Sequence, residues 1–231
     1  MISFFSRVLD LISPRACTIC GRRLTPTEQV LCIVCNRHLP RTHYEDDAYD
    51  NEMAKQFWGR IPIERCAALF YYEAQSEVSR MIYALKYGYH PEIGEQLGCM
   101  VAKTFQTKNF FEAIDLILPV PLTRIRERQR GYNQSMEIAK GVSQVTGIPI
   151  AKNIVKRIKF GDSQTHKGRL ERAENVENAF ELIDGKEIRG KHLLLIDDIV
   201  TTGATICACG KTLKQAGDIR ISVLSLGFVK A

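Results

Sequence analysis

Two adjacent carboxylates, Asp197 and Asp198, stand between an apolar run and a hydroxyl-rich turn in the stretch Leu193-Leu194-Leu195-Ile196-Asp197-Asp198-Ile199-Val200-Thr201-Thr202-Gly203-Ala204-Thr205. The run Leu193 to Ile196 is too short for a helix of its own and reads as a buried strand of a parallel sheet, with the acids at its end. Carboxylates are poor phosphate ligands but good acceptors for two vicinal sugar hydroxyls or for water around Mg²⁺. Thr201, Thr202 and Thr205 supply hydroxyl donors. A helical pattern starting near Gly203 adds free backbone N–H groups and a dipole that favour an anion. A ligand that combines phosphate, diol and metal ion is a ribose phosphate. The plain alternative is a strand–turn–helix corner whose acids face solvent.

A second chemistry lies near the start of the chain. Cys17-Thr18-Ile19-Cys20 and Cys32-Ile33-Val34-Cys35 are two C-x-x-C turns separated by eleven residues. Each turn brings two thiolates to one ion, and two turns complete a closed Cys₄ tetrahedron, which makes Zn²⁺ here structural rather than catalytic. A redox C-x-x-C is the competing reading, and two copies this close favour the metal. His38 and His43 read as surface residues. Such a ribbon can touch nucleic acid or simply staple its segment to a domain. With these thiols reserved for a metal, the cysteines point to a reducing, cytoplasmic compartment.

A third is cationic. Thr123 to Gln134 carries Arg124, Arg126, Arg128 and Arg130 at alternate positions. These share one face if the segment is extended, or fan around an anion in a loop; a solvated charge run is the bland reading. Forked guanidinium donors suit pyrophosphate and backbone phosphates. Between Pro119 and Asn175 there are twelve Lys and Arg against five Asp and Glu, so a local excess of seven accounts for the whole net charge of +6. A basic segment inside a phosphate-binding fold suits a phosphorylated ligand, a nucleic acid, or both.

The elements that must position these groups alternate between strand and helix. Strands are expected at Cys66 to Tyr72, Ile114 to Pro121, Pro149 to Val155, Ala179 to Leu182 and Ile219 to Phe228, besides the strand before Asp197. Helices are expected at Glu77 to Tyr87, from Pro91 through Phe105, after Asn133 to Gly147, and at Ala204 to Gln215. Phe160 to Asn178 is a long polar stretch with the character of a lid, and His166 within it is a candidate proton carrier. His43 to Arg60 reads as an exposed connector with Trp58 packed at a domain edge, and Met1 to Ser13 as a short amphipathic helix. No apolar run is long enough for an integral membrane segment, and the first residues lack a signal peptide's basic leader and cleavage site. The fold class that follows is α/β, a parallel sheet flanked by helices. Its organisation is a helix and zinc ribbon over 1–43, a connector over 44–65 and the main domain over 66–231. Hydrophobic residues at 45% suffice for its core.

The stretch around Asp197 resembles the phosphoribosyl-pyrophosphate (PRPP) signature of type I phosphoribosyltransferases: an apolar strand, two acids and a T-T-G-x-T loop. The resemblance implies that Asp197 and Asp198, the catalytic pair, hold the ribose hydroxyls. It implies that Thr201, Thr202, Gly203, Ala204 and Thr205 hold the 5′-phosphate, and that Mg²⁺ arrives with PRPP. Arg124, Arg128 and Arg130 are the candidate pyrophosphate contacts. Taken whole, the chain resembles the ComF-type competence family, also described as GntX-like. The motifs are Cys17/Cys20/Cys32/Cys35, Leu85-Lys86-Tyr87, Pro119-Val120-Pro121, Arg126 to Gln134, Gln164 to Asn178, and Asp197 to Thr205. Gln129 widens the arginine spacing before Gly131 relative to that family.

This resemblance implies a cytoplasmic protein that handles single-stranded DNA during natural transformation, with PRPP or ribose 5-phosphate as ligand and DNA-uptake machinery proteins as partners. Tyr132 and Phe160 lie among the basic groups, as stacking on a single strand requires. A working transferase, passing ribose 5-phosphate to an unknown acceptor with release of pyrophosphate, is the alternative. A zinc-stapled PRPP sensor is a third reading.

Overall fold

The computed structural model describes residues 15–158 and 179–230. The expected lid, His166, Phe160 and the amphipathic helix over Met1 to Ser13 fall outside the described residues.

The chain enters through the cysteine ribbon, closed by a short helix α1 (Ile33–His38), and then forms α2 (Glu52–Lys55). The sheet begins with β1 (Cys66–Tyr71), followed by α3 (Glu77–Tyr87), α4 (Pro91–Gln106) and β2 (Leu116–Pro119). Next come α5 (Arg124–Arg130), α6 (Gln134–Thr146), β3 (Val155–Arg157) and β4 (Phe180–Leu182). The chain closes with β5 (His192–Val200), α7 (Ala204–Leu213), a 3₁₀ turn (Lys214–Ala216) and β6 (Arg220–Phe228).

Four strands form a parallel sheet in the order β1-β6-β5-β2. Residues His192 to Ile196 of β5 and Ile221 to Phe228 of β6 are continuously buried, so both sheet faces are covered, as parallel sheets require. Helix α6 lies across β2 and β5 and packs along α4. That approach is close enough that a Cβ on Gly98 would stand 2.1 Å from the Ile138 carbonyl oxygen, and one on Gly141 1.9 Å from that of Glu95. Small residues here bring two helices together over the strand that carries the acids.

Three expectations are corrected. Of the stretch Pro149 to Val155 only Val155 falls in a strand, as the first residue of β3, and only Ile150 bridges β2, in parallel with Ile117. β3 and β4 instead make a separate antiparallel pair, Val155 opposite Leu182 and Arg157 opposite Phe180. The supposed exposed connector is packed, because Met53, Ala54, Phe57 and Ile61 turn inward and Asn51 donates to the Cys66 carbonyl at 2.7 Å. Trp58 does not pack at an edge; it is 60% exposed, with the Lys55 ammonium 5.8 Å from its ring.

The ribbon joins the same body. Arg41 bridges Phe70 and its guanidinium lies 4.7 Å from that ring, while Tyr71 N–H donates to Pro40 at 2.9 Å. Buried residues from Cys17 to Phe228 form one hydrophobic cluster. No described helix is long and apolar enough to cross a membrane.

Candidate ligand site

Asp197 and Asp198 lie near the C-terminal end of β5, beside the end of β2, where Pro119 pairs with Ile196 and Val120 N–H donates to Ile196 at 2.9 Å. Ligands of open parallel sheets gather at this end of the strands. The two acids are held differently. Asp197 Oδ1 accepts from Ser135 Oγ at 3.1 Å and from the Asp198 N–H at 2.9 Å. Burial, and after it the neighbouring Asp198 charge, pushes the Asp197 carboxyl up to about 7 against those hydrogen bonds and Lys86. Asp198, only 8% exposed, pairs through Oδ2 with Lys86 Nζ at 3.1 Å. Lys86 thus offsets the charge of Asp198, while the proton that burial favours on Asp197 relieves the pair.

The loop after β5 is rigid by construction. Gly203 takes a left-handed φ of 70°, and a Cβ there would meet the Phe57 ring at 2.8 Å. Arg60 Nη1 donates to the Thr202 carbonyl at 2.5 Å and to Gln56 at 2.8 Å, tying the packed connector to the loop from outside. No side chain caps α7, so its first-turn N–H groups open into a small hollow lined by Asp197, Thr201, Thr202, Ala204 and Thr205. Uncapped donors at a helix start, with a positive dipole behind them, are an anion site in chemical terms.

The arginines are not in a loop, and they do not share one face. Thr123 caps α5 by accepting the Arg126 N–H at 3.4 Å, and Gly131 ends it at φ 81°. A helical turn of 100° per residue sends Arg124 and Arg128 to one side and Arg126 and Arg130 to another. α5 has no buried residue, and Arg124, Arg126 and Arg128 enter no ion pair among the described residues. Arg130 differs: it donates to Gln134 Oε1 at 2.6 Å and lies 5.5 Å from the Tyr87 ring.

The segment after α5 wires the arginine helix to the acids. Tyr132 Oη donates to the Leu85 carbonyl, Asn133 caps α6 through Ser135 N–H and donates to Val120 at 3.1 Å, and buried Gln134 orients Arg130. Ser135 then reaches Asp197. Sequence reasoning singled out this run without assigning Lys86 or Ser135 a role, since only the fold brings β5, α3 and α6 together. It also passed over Phe57, Arg60 and Arg157. Arg157 sits at the end of β3 with its guanidinium 5.3 Å from the Phe180 ring. Burial pulls its pKa down, Arg126 adds to that and Asp197 opposes it, so it stands within the field of both groups.

At the other end, the sulfurs of Cys17, Cys20, Cys32 and Cys35 all lie within 4.8 Å of one another, with Cys20 and Cys32 at 3.8 Å. A tetrahedron with metal–sulfur bonds of about 2.3 Å has edges of about 3.8 Å, so the donor set fits a metal ion such as zinc. Cys32 Sγ also accepts the Cys35 N–H at 3.4 Å. Glu28 braces the ribbon by accepting from Thr25 at 2.8 Å and Ile33 at 2.6 Å. His38 and His43 bond to Val34 and Glu45 and stay outside this set.

The sequence profile of the phosphoribosyl transferase domain matches residues 110–225, half of the chain. Competence protein F of Haemophilus influenzae is 37% identical over 113 residues, 48% of this chain and 49% of that protein, so the chain spans about half the length of this relative. DNA utilization protein YhgH of Escherichia coli K12 is 26% identical over 213 residues, covering 91% of this chain and 88% of that one. Competence protein ComFC of Bacillus subtilis is 23% identical over 209 residues, 90% and 75% of the two chains. With the four-cysteine ribbon in front and the acid pair and hydroxyl loop inside the matched region, the chain belongs to the phosphoribosyl transferase domain family, among its ComF-type members.

Proposed function

We propose that this protein binds PRPP or a related ribose phosphate at the end of β5 and serves in the handling of single-stranded DNA during DNA uptake. The observation that carries the reading is the coexistence of a lysine-compensated acid pair with an uncapped helix start, joined by a loop clamped by Phe57 and Arg60. In this reading Asp197 and Asp198 receive the ribose hydroxyls, and Thr201 to Thr205 with the α7 N–H groups receive the 5′-phosphate. Arg157 and Arg124, which line one hollow, face the pyrophosphate. Asp197 and Asp198 are oxygen donors of the kind Mg²⁺, a hard ion, prefers, and the ion held there would supply positive charge for the diphosphate. The cysteine ribbon holds Zn²⁺ as a structural ion. The likeness to competence protein F, ComFC and YhgH, by their names, supports the DNA role.

Transfer of ribose 5-phosphate to an acceptor is a second reading. It is favoured by a hollow of about 760 Å³ lined by Pro119, Arg124, Met136, Lys152 and Arg157 among others, which has room for an acceptor beside the pyrophosphate groups. Calorimetric titration of the zinc-loaded protein with PRPP and Mg²⁺ tests the first reading: saturable heat is expected, and its absence in a folded protein overturns it. Pyrophosphate release during incubation with candidate acceptors tests the second.

A further inference from the structure

Among the described residues five large aromatic side chains are exposed, and three of them lie within seven residues of one another: Tyr83 is 66% exposed, Tyr87 51% and Tyr89 71%. Helix α3 already has an apolar face in Val78, Met81, Ile82 and Leu85, all buried. Tyr83 and Tyr87 are one turn apart on the opposite side, so core packing does not require them. Their ring centroids are 4.7 Å apart with planes tilted by 42°. Arg80, exposed and three residues before Tyr83, lies on the same side of the helix. At the other end the Arg130 guanidinium lies 5.5 Å from the Tyr87 ring, and Tyr89 Oη donates to Gln129 at 3.4 Å, so the row continues onto the arginine helix. Lys86, between Tyr83 and Tyr87 in the chain, pairs with Asp198.

Aromatic rings in solvent, spaced along a helix and flanked by guanidinium groups, are what a flexible polyanion with flat bases recognises. Each ring offers a face for a base, and each arginine a charge for the backbone. A protein partner is less well matched, because the strip has no buried apolar centre of its own. We propose that Tyr83, Tyr87 and Tyr89, with Arg80 and Arg130 at the ends, form the track on which single-stranded DNA stacks. The track runs from α3 onto α5 and passes the acid pair at Lys86. This deepens the DNA-handling reading above and rests on it.

The test is fluorescence anisotropy of the zinc-loaded full chain with a labelled oligodeoxythymidine about 20 nucleotides long. Because both side chains are exposed, Tyr83→Ala/Tyr87→Ala should fold normally by circular dichroism and melting. It should bind at least about tenfold more weakly, while Tyr83→Phe/Tyr87→Phe stays near wild type. Iododeoxyuridine cross-linking followed by peptide mapping should label Tyr83, Tyr87 or Tyr89. Wild-type protein that does not bind the oligonucleotide overturns both this inference and the DNA-handling reading. A wild type that binds, with the alanine variant binding equally and the cross-links elsewhere, overturns only the tyrosine track and leaves those rings to a protein partner.

Discussion

The acid pair with its loop after β5 and the arginine helix α5 carry opposite charges toward the same end of the sheet, yet they are built on opposite principles. The acids sit on a strand paired on both sides, and the loop beyond them is fixed by Phe57, Arg60 and a left-handed Gly203. Each acid there has a prearranged counterpart, Ser135 for Asp197 and Lys86 for Asp198. Helix α5 buries nothing and is secured chiefly by its caps and by Arg130. A cradle for a defined ligand must be preorganised, because ordering it at the moment of binding subtracts from affinity. Long-range attraction of a polyphosphate needs only the charge.

The sharpest way to break this contrast is Asp197→Ala/Asp198→Ala. Two charge-assisted contacts worth about 1.5–3 kcal/mol each imply at least about a 100-fold loss of Mg²⁺–PRPP affinity by calorimetry. A loss of only a few-fold would mean that the loop binds phosphate and the acids are idle.

The next effect is one of pH. Asp197 titrates at about 7 in the fold, against 3.8 for an unperturbed aspartate. Between those values the folded protein keeps a proton that the unfolded chain has released. Stability from this group therefore falls as pH rises from about 4 to about 7, by up to about 1.4 kcal/mol per pH unit, and is level above that window. Asp197→Asn should flatten this component of the melting temperature against pH. A profile identical to wild type would place the strain elsewhere.

A smaller effect belongs to Gly203→Ala. A left-handed φ costs a non-glycine residue about 1–2 kcal/mol, and the methyl group would meet the Phe57 ring at 2.8 Å. Both a lower melting temperature and weaker PRPP binding are expected, and Phe57→Leu in the same chain should restore part of the stability. A Gly203→Ala protein as stable as wild type would show that the loop is not clamped.

The contrast also explains what could be read from sequence. Strand β5, its acids, the loop and the paired C-x-x-C turns were legible because each is a local pattern with local physics. The connector was misread because its polar composition hides Met53, Phe57 and Ile61 at spacings of four, a helical signal that points inward. The arginine segment was misread for a related reason. Alternating charges suggested an extended chain or a loop, although Thr123 before the run and Gly131 after it are the cap residues of a helix. Lys86 and Ser135 were out of reach altogether, since their partners lie 112 and 62 residues away in the chain. β3 pairs with β4 rather than extending the parallel sheet, and three-residue strands carry too little pattern to reveal their partner.

The smallest effect is expected from Arg126→Gln/Arg128→Gln, and it is the most direct test of the arm. Neither side chain has an ion-pair partner among the described residues, and the helix that carries them buries nothing. Removing both should change stability by no more than about 0.5 kcal/mol. If the arm attracts phosphates, the same variant should lose a few-fold in affinity for oligodeoxythymidine at low salt. The slope of log affinity against log salt should drop by about 1.4, since each single-strand phosphate contact contributes about 0.7. Arg130→Gln, which also frees Gln134 and uncovers Tyr87, should cost stability as well, separating the one anchored arginine from its neighbours. If the double variant melts several degrees lower while keeping its salt slope, α5 is a structural brace like the loop after β5, and the two regions do not differ in kind.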